Sequence, residues 1–359
     1  MGYTSVGLYH FRNLQDARIA VDARDVFLIG DNGQGKTNFL ESIYMLSYGG
    51  SFRAKSDELI CRNGESEMSL RGVLQTEEVQ HDIRYKWQNR RKQVELDGSA
   101  ISDRKELVHI MPCIVFAHDD IDFVAGPPEM QRYFFDQSLS LYDPLYIDVL
   151  RRYRRILRAR NDSLKEGRTD LLEIYDRQLA QHGLELQRHR EHAVGAFNET
   201  FTAQFAEIAG LPYSLEIRYV PSWKHEQAVA DVEERLSRQR DQDLRFGTTT
   251  SGPQRDRFVF SADGQDFTLT ASTGQLRLVS LVLRVAQAVF FHSAVERRPL
   301  LLLDDVLLEL DQTRRERFLH ALPDYEQAFF TFLPNEQYKR YLHDDAMVYE
   351  VKDGVLTRP

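Results

Sequence analysis

The sequence predicts an α/β protein: a mixed sheet carrying a glycine-loop helix, an antiparallel β part, and an inserted, mostly helical arm. Three observations predict it. A buried strand, "VFLIG", runs directly into the glycine-rich "GDNGQGKTN" and then into an amphipathic helix. Residues 68–102 alternate apolar and polar, the period of antiparallel strands. From about Pro128 to Arg240 β-branched runs thin out, and apolar residues fall three and four apart.

The 359 residues suffice for two domains or for one with a large insertion. With 42% hydrophobic and 28% charged residues, the composition is that of a soluble globular protein. The formal net charge of −9 argues against a surface basic all over, yet leaves room for a local basic face. Cys61 and Cys113 lie far apart and match no metal-ligand spacing, which predicts two reduced, buried thiols. "MGYTSVGLYHFRNL" lacks the basic head and apolar run of a signal peptide. Gly2 suits an acylation start, but Val6 stands where Ser or Thr is required. The most apolar stretch, Leu278 to Phe291, is interrupted by Arg284 and Gln287 and reads as too short for a bilayer. A cytoplasmic protein is expected.

In chain order, residues 3–29 predict two or three strands, the last one buried. Gly30 to Gly35 form a loop. In the helix after it, Phe39, Leu40, Ile43, Tyr44 and Leu46 recur at helical spacing. Asp97-Gly98, Asp263-Gly264 and Asp353-Gly354 each predict a tight hairpin. "CIVFAHDDIDFVAGPP" reads as a buried strand and a polar loop. The arm covers residues 128–245, between head parts 1–127 and 246–359. Its heptads are not sustained, so it is not a long coiled coil. A very apolar helix from Gln275 to Phe291, the buried strand "LLLLDD", the helix "QTRRERFLHAL" and the strand "AFFTF" complete the head.

Gly30, Gly35, Lys36 and Thr37 satisfy G-x-x-x-x-G-K-[ST] in full, between a strand and a helix. Glycines let the backbone turn so that several N–H groups converge on phosphate oxygens, and the helix N-terminus adds positive potential. Gly30, Asp31, Asn32, Gly33, Gln34, Gly35, Lys36, Thr37 and Asn38 are the candidate nucleotide contacts. Lys36 reaches the β/γ-phosphates and Thr37 a Mg²⁺ ion in such a motif. A loop of this kind needs a carboxylate partner, and "LLLLDD" supplies one about 270 residues later. Asp304, at the C-terminal edge of a buried strand, suits a Mg²⁺-linked carboxylate, and Asp305 suits polarising a water. In "ASTGQLRLVSLVLRVAQ", Ser272 or Thr273 can cap a buried helix whose small, polar N-terminus near Gly274 and Gln275 suits a second anion contact.

Phosphate loop, S-x-G-Q opening a buried helix, "LLLLDD" and then "ELD" is an order that resembles ABC-type ATPase heads. The resemblance implies ATP and Mg²⁺ as cofactors, with ATP held between two subunits. Ser272, Gly274 and Gln275 then meet the triphosphate on the partner's loop, and Asp311 lies in a loop crossing the dimer interface. His118, in "FAHDDIDFV", stands where such heads carry a lining glutamine, which implies a place at the metal. "FRNL" at 11–14, the phosphate loop, "SGPQRDRF" at 251–258, "GQLRLVSLVLRVAQ" and "LLLLDDVLLELD" together resemble the RecF family of DNA-repair ATPases, whose heads are SMC-like. Arg12 joins the nucleotide set by that resemblance, with Asp305 and Lys36 as catalytic residues and Thr37, Asp304 and His118 at the metal. Gln254 departs from the family's His, while Arg255 and Asp256 match it. The family implies a weak, DNA-stimulated ATPase of recombinational repair. It dimerises with ATP, binds single-stranded, double-stranded and gapped DNA, and works with RecR and RecO to load RecA.

The residues support DNA through "RRYRRILRAR" (151–160): on a helix Arg151, Arg155 and Arg158 share one face, with Arg154 close to it. A solvated face paired with nearby carboxylates is the alternative. Two other function classes use a similar head. A transporter's ATP subunit carries a shorter helical insertion, and defence-system ATPases often carry a fused nuclease, for which no room is expected after Asp311.

Overall fold

The computed structural model describes residues 2–54, 56–336, 338–343 and 345–358. The chain opens with β1 (Gly2–Tyr9), β2 (Ala17–Ala20), β3 (Asp25–Ile29) and α1 (Lys36–Tyr48). Next come β4 (Met68–Gln75), β5 (Gln80–Gln88), β6 (Arg91–Leu96), β7 (Ser99–Ala100), α2 (Lys105–Ile110) and β8 (Cys113–Phe116). A helical stretch follows: α3 (Asp122–Ala125), α4 (Pro128–Tyr142), α5 (Pro144–Lys165) and α6 (Leu172–Ala209). Then come β9 (Glu216–Val220), α7 (Val229–Arg238), α8 (Arg240–Phe246), β10 (Arg257–Ala262), β11 (Gln265–Asp266) and α9 (Thr273–Val295). The chain closes with β12 (Leu300–Leu303), α10 (Gln312–Ala321), β13 (Gln327–Phe332), β14 (Met347–Lys352) and β15 (Val355–Thr357).

Two compact units result. The first comprises residues 1–118, 296–316 and 322–359; the second, 119–295 and 317–321. In the first unit one sheet runs β15-β14-β3-β13-β12-β8, parallel throughout except for the antiparallel edge strand β15. Four of its strands, β3, β13, β12 and the edge strand β8, are buried along their whole length because both faces are covered: every residue of "DVFLI", "QAFFTF", "LLLL" and "CIVF" is buried. The second sheet, β2-β1-β4-β5-β6-β7, is antiparallel, and β4 alternates buried and half-buried residues as a one-sided strand does. Val26, Leu28, Phe39, Leu40 and Ile43 from β3 and α1 share one core with Val6, Leu70, Leu74 and Tyr85 from that sheet. All three Asp-Gly pairs form hairpin turns with both residues at positive φ: 52° and 80° at Asp97-Gly98, 50° and 80° at Asp263-Gly264, 49° and 77° at Asp353-Gly354.

The second unit packs α4, α5, α6 and α9 with the small sheet β11-β10-β9. Tyr146, Val149, Leu150 and Tyr153 of α5 meet Leu179, Leu184 and Leu186 of α6 in its core. The compact units do not follow the head and arm bounds along the sequence: β10 packs on α4, and α9 on α4 and α6, which draws both into the second unit. The hairpin at Asp263-Gly264 is short: its second strand ends at Asp266, whose carboxylate accepts from Thr268 N at 3.0 Å and bends the chain into a 3-10 turn. The apolar helix is longer than the Leu278–Phe291 stretch: α9 spans Thr273–Val295, long and apolar enough to cross a membrane. Two-thirds of that apolar window is nonetheless buried within the protein, as in a core helix. Strand β9 was not anticipated. It is five residues long, stands between helices, and gains its partner from β10, where Arg257 pairs with Val220 and Ser261 with Glu216.

Candidate nucleotide-binding site

The glycine loop leaves β3 at Gly30, where a Cβ would sit 2.3 Å from the Val351 carbonyl oxygen of neighbouring β14. Only glycine lets the two strands approach so closely. At the far end Gly35 takes φ 118°, and a Cβ there would strike Leu14 at 2.6 Å. Between them the loop is tied from two sides. Asn13 Nδ2 donates to the Gly33 carbonyl at 3.1 Å, and Asn38 Nδ2 donates to Asn13 Oδ1 at 2.6 Å. On the other side Gly354 N donates to the Gln34 carbonyl at 3.1 Å, and Asp353 N donates to Gln34 Oε1 at 2.6 Å. No side chain caps α1, so the N–H groups of its first turn have no partner within the helix.

Lys36 is buried, and its Nζ donates to the carbonyls of Gly30 at 2.7 Å and Asp31 at 3.2 Å, within 4.0 Å of Asp305 Oδ1. Thr37 Oγ1 donates to Asp304 Oδ1 at 2.8 Å, across 267 residues of sequence. Asp304 is placed by β12, and its N–H donates to the Phe116 carbonyl of β8 at 3.0 Å. Burial is the largest influence on its carboxyl and pushes it up to about 6; Thr37 opposes this and the Asp305 charge adds to it. Asp305 holds a left-handed backbone, φ 54°. Its N–H donates to Thr331 Oγ1 at 2.7 Å, and that hydroxyl donates to Asp305 Oδ1 at 2.8 Å. A cavity of about 230 Å³ opens among Asn32, Gly33, Lys36, Thr37, Arg53 and Asp305.

Arg12 is held by Glu41 of α1. Its Nε and Nη2 each donate to the carboxylate at 2.9 Å, and its Nη1 donates to the Leu59 carbonyl. Arg53 donates from Nη2 to the same carboxylate at 2.8 Å and to Asn38 Oδ1 at 2.6 Å, and Ser51 Oγ also donates to it. Sequence reasoning missed Arg53, Glu41 and Thr331. The one available signal was a basic residue, in "SFR", just after the loop helix.

In the second unit, Ser272 and Gln275 form a reciprocal capping box on α9: Ser272 N donates to Gln275 Oε1 at 2.8 Å, and Gln275 N to Ser272 Oγ at 3.3 Å. Gln275 Nε2 donates to the Tyr213 hydroxyl, and a Cβ at Gly274 would meet nothing within 4 Å. Asp311 caps α10 by accepting from Arg314 N at 2.9 Å. His118 opens a 3-10 turn just past β8. Among the described residues no three His, Cys, Asp or Glu side chains converge as a metal cage. Gln254 accepts from the Tyr153 hydroxyl, and Arg255 is exposed. Asp256 is fully buried, accepting from Arg190 at 2.9 Å, Gln187 at 2.8 Å and Ser222 N at 2.7 Å. Its role is to tie the second unit together.

The first-unit residues fit a Mg²⁺-bound triphosphate. A threonine hydroxyl beside one carboxylate is a hard oxygen pair of the kind Mg²⁺ takes while keeping phosphate and water as its other ligands. The uncapped helix end and the buried ammonium supply positive charge where phosphates would lie.

Comparison with known proteins bears on this site. The family model described as the RecF/RecN/SMC N-terminal domain matches residues 4–357. The DNA replication and repair protein RecF of Treponema pallidum (strain Nichols) is 42% identical over 346 residues, 96% of this chain and 98% of that protein. The RecF of Leptospira interrogans serogroup Icterohaemorrhagiae serovar copenhageni is 30% identical over 355 residues, 97% and 96% of the two chains. A solved structure of the recombination mediator protein RecF with ATP, in the RecFOR pathway, superposes with a TM-score of 0.90 at 26% identity, covering 100% of this chain and 97% of that one. An Smc head domain from Pyrococcus furiosus, at TM-score 0.58 and 15% identity over 99% of this chain and 96% of that one, shares the fold.

Proposed function

The chain belongs to the RecF family, with an ABC-type, SMC-like ATPase head, and from that premise we propose that it is an ATP-gated DNA clamp of recombinational repair. Two copies close when ATP binds. Each triphosphate lies between the glycine loop of one copy and the Ser272–Gln275 turn of the other. The closed pair grips single-stranded, double-stranded or gapped DNA, acts with RecR and RecO to promote RecA loading, and opens after a slow, DNA-stimulated hydrolysis in the cytoplasm.

The observation that carries this reading is the Thr37–Asp304 hydrogen bond. It joins the loop helix to a carboxylate 267 residues away, beside an uncapped helix end. Thr37 and Asp304 would hold Mg²⁺, which supplies charge neutralisation at the phosphates when bound. Lys36 exchanges its hold on two loop carbonyls for phosphate oxygens. The Asp353-Gly354 turn and Asn13 keep the loop backbone in place meanwhile. Asp305, fixed by Thr331 and partly exposed, orients a water and takes up its proton. Arg12 and Asn38 flank the loop, and His118 follows the strand beside Asp304.

Closure of two copies on ATP needs only a few charge-assisted hydrogen bonds, about 1.5–3 kcal/mol each, to shift a weak monomer–dimer balance. Light scattering with and without ATP tests it. The wild type doubles in mass with ATP, and Lys36→Met stays monomeric because the buried ammonium is gone. A Lys36→Met protein that still doubles with ATP refutes the glycine loop as the dimerising site.

A further inference from the structure

We propose that the exposed arginine face of α5 is a phosphate-contacting surface for a nucleic-acid backbone, an inference that rests on the DNA-binding reading above. Six arginines stand between residues 151 and 160, and the structure sorts them. Arg160 points inward and is fully buried, with Nε 2.7 Å from Asp176 and Nη1 2.7 Å from Asp243, so it holds the unit together. Arg154 is exposed but pairs with Asp136 at 3.1 Å, and Arg151 also has a partner. Arg152, Arg155 and Arg158 are exposed, and among the described residues none of these three makes an ion pair. Elsewhere in the same unit Arg177, Arg235 and Arg238 meet Glu233, Glu226 and Glu234. Carboxylates accompany those arginines and are withheld from Arg152, Arg155 and Arg158.

The stripe also crowds like charge. Of the four helix neighbours of Arg155 at three and four residues, three are arginines: Arg151, Arg152 and Arg158. Like charges at that spacing repel and weaken a helix. A chain with a net charge of −9 that concentrates positive charge on one helix face has a surface a polyanion would relieve. From Arg152 to Arg158 the stripe is about 9 Å long at a rise of roughly 1.5 Å per residue, enough for two successive phosphates. Guanidinium forks bond phosphate oxygens in pairs. The aromatic residue within the run, Tyr153, is buried, so the face offers charge without a ring for bases to stack on. It is therefore matched to backbone and indifferent to base sequence.

The test is a triple variant of the full chain, Arg152→Gln with Arg155→Gln and Arg158→Gln; glutamine keeps the helix propensity. A control variant carries Arg177→Gln, Arg235→Gln and Arg238→Gln, an equal change in net charge. Affinity for a fluorescent DNA duplex is measured over a range of NaCl concentrations. Each phosphate contact contributes about 0.9 to the salt slope, so the stripe variant's slope falls by up to about 2.7 and its affinity at about 0.1 M salt by at least tenfold. The control keeps the wild-type slope. If the triple variant does not fold, Arg155→Gln alone serves, with an expected fall of about 0.9. A wild-type slope in the stripe variant, or an equal loss in the control, overturns the proposal. So does loss of polyglutamate binding with DNA binding intact, which would assign the face to an acidic protein. A wild type that binds no duplex at any salt sinks the DNA reading itself.

Discussion

Glutamate 41 is the residue whose removal is most informative about the first unit. Its side chain is fully buried, and two arginines reach it with three charge-assisted hydrogen bonds, at 2.9, 2.9 and 2.8 Å. Glu41→Gln keeps the shape and removes the charge. Removing one partner of a fully buried ion pair costs roughly 3–5 kcal/mol. Arg12 and Arg53 are 23% and 33% exposed, so each can turn partly to water. That lowers the expected loss to about 2–3 kcal/mol. With a urea slope of about 3 kcal/mol per molar, the unfolding midpoint should fall by about 0.7–1 M. Trp87 lies in β5 of the same unit and Trp223 in the other unit, so fluorescence in a common Trp223→Phe background isolates the relevant transition. Burial pushes the Glu41 carboxyl up, but the Arg12 hydrogen bonds and the Arg53 charge outweigh it and hold the group below its ordinary 4.5. A depressed carboxyl contributes stability above its unfolded value and loses it as pH falls through the folded one. The gap between wild type and variant should therefore be full at neutral pH and close progressively below about pH 4. An unchanged midpoint at neutral pH, or a gap that stays constant into strong acid, would refute this account of the two arginines.

Three further outcomes are expected. Asp305→Asn should trap the ATP-bound dimer and tighten DNA binding, read as a slower DNA off-rate; a faster one contradicts its hydrolytic role. Ser272→Arg should leave ATP affinity at the wild-type level yet block ATP-dependent doubling of mass, because Ser272 and Gly274 border open space; normal doubling would show that the turn is not shared between copies. Gly30→Ala should cost about 1–3 kcal/mol, since its Cβ would press on the Val351 carbonyl from 2.3 Å. Urea unfolding measures that cost, and a stability equal to wild type would mean that β14 yields freely.

What the sequence disclosed depended on whether a feature is encoded locally. The loop from Gly30 to Thr37 is a fixed spacing between a strand and a helix, and each hairpin is an Asp-Gly pair whose left-handed backbone is set by its own two residues. The buried strands were legible because parallel strands covered on both faces lose the polar alternation. Thr331, Glu41 and Arg53 were not legible, because each acquires its role from a partner brought by packing: Asp305 from another strand for the first, and two arginines meeting one carboxylate for the others. The arginine run shows both sides. Its basic character was plain, but which arginine faces inward depended on Asp176 and Asp243, and a helical period alone does not reveal that. The make-up of the compact units was hidden for the same reason, as α9 follows its neighbours in space and not in sequence.

The strand order β15-β14-β3-β13-β12-β8 places β3 between two strands from the far end of the chain. During synthesis β3, which ends at Ile29, is made well before β13 and β14, which begin at Gln327 and Met347. The nascent chain must keep an apolar strand waiting until those strands are made, and the turn that straps Gln34 comes later still. A product that stops short of β12 consequently lacks the carboxylates that face Thr37 and Lys36.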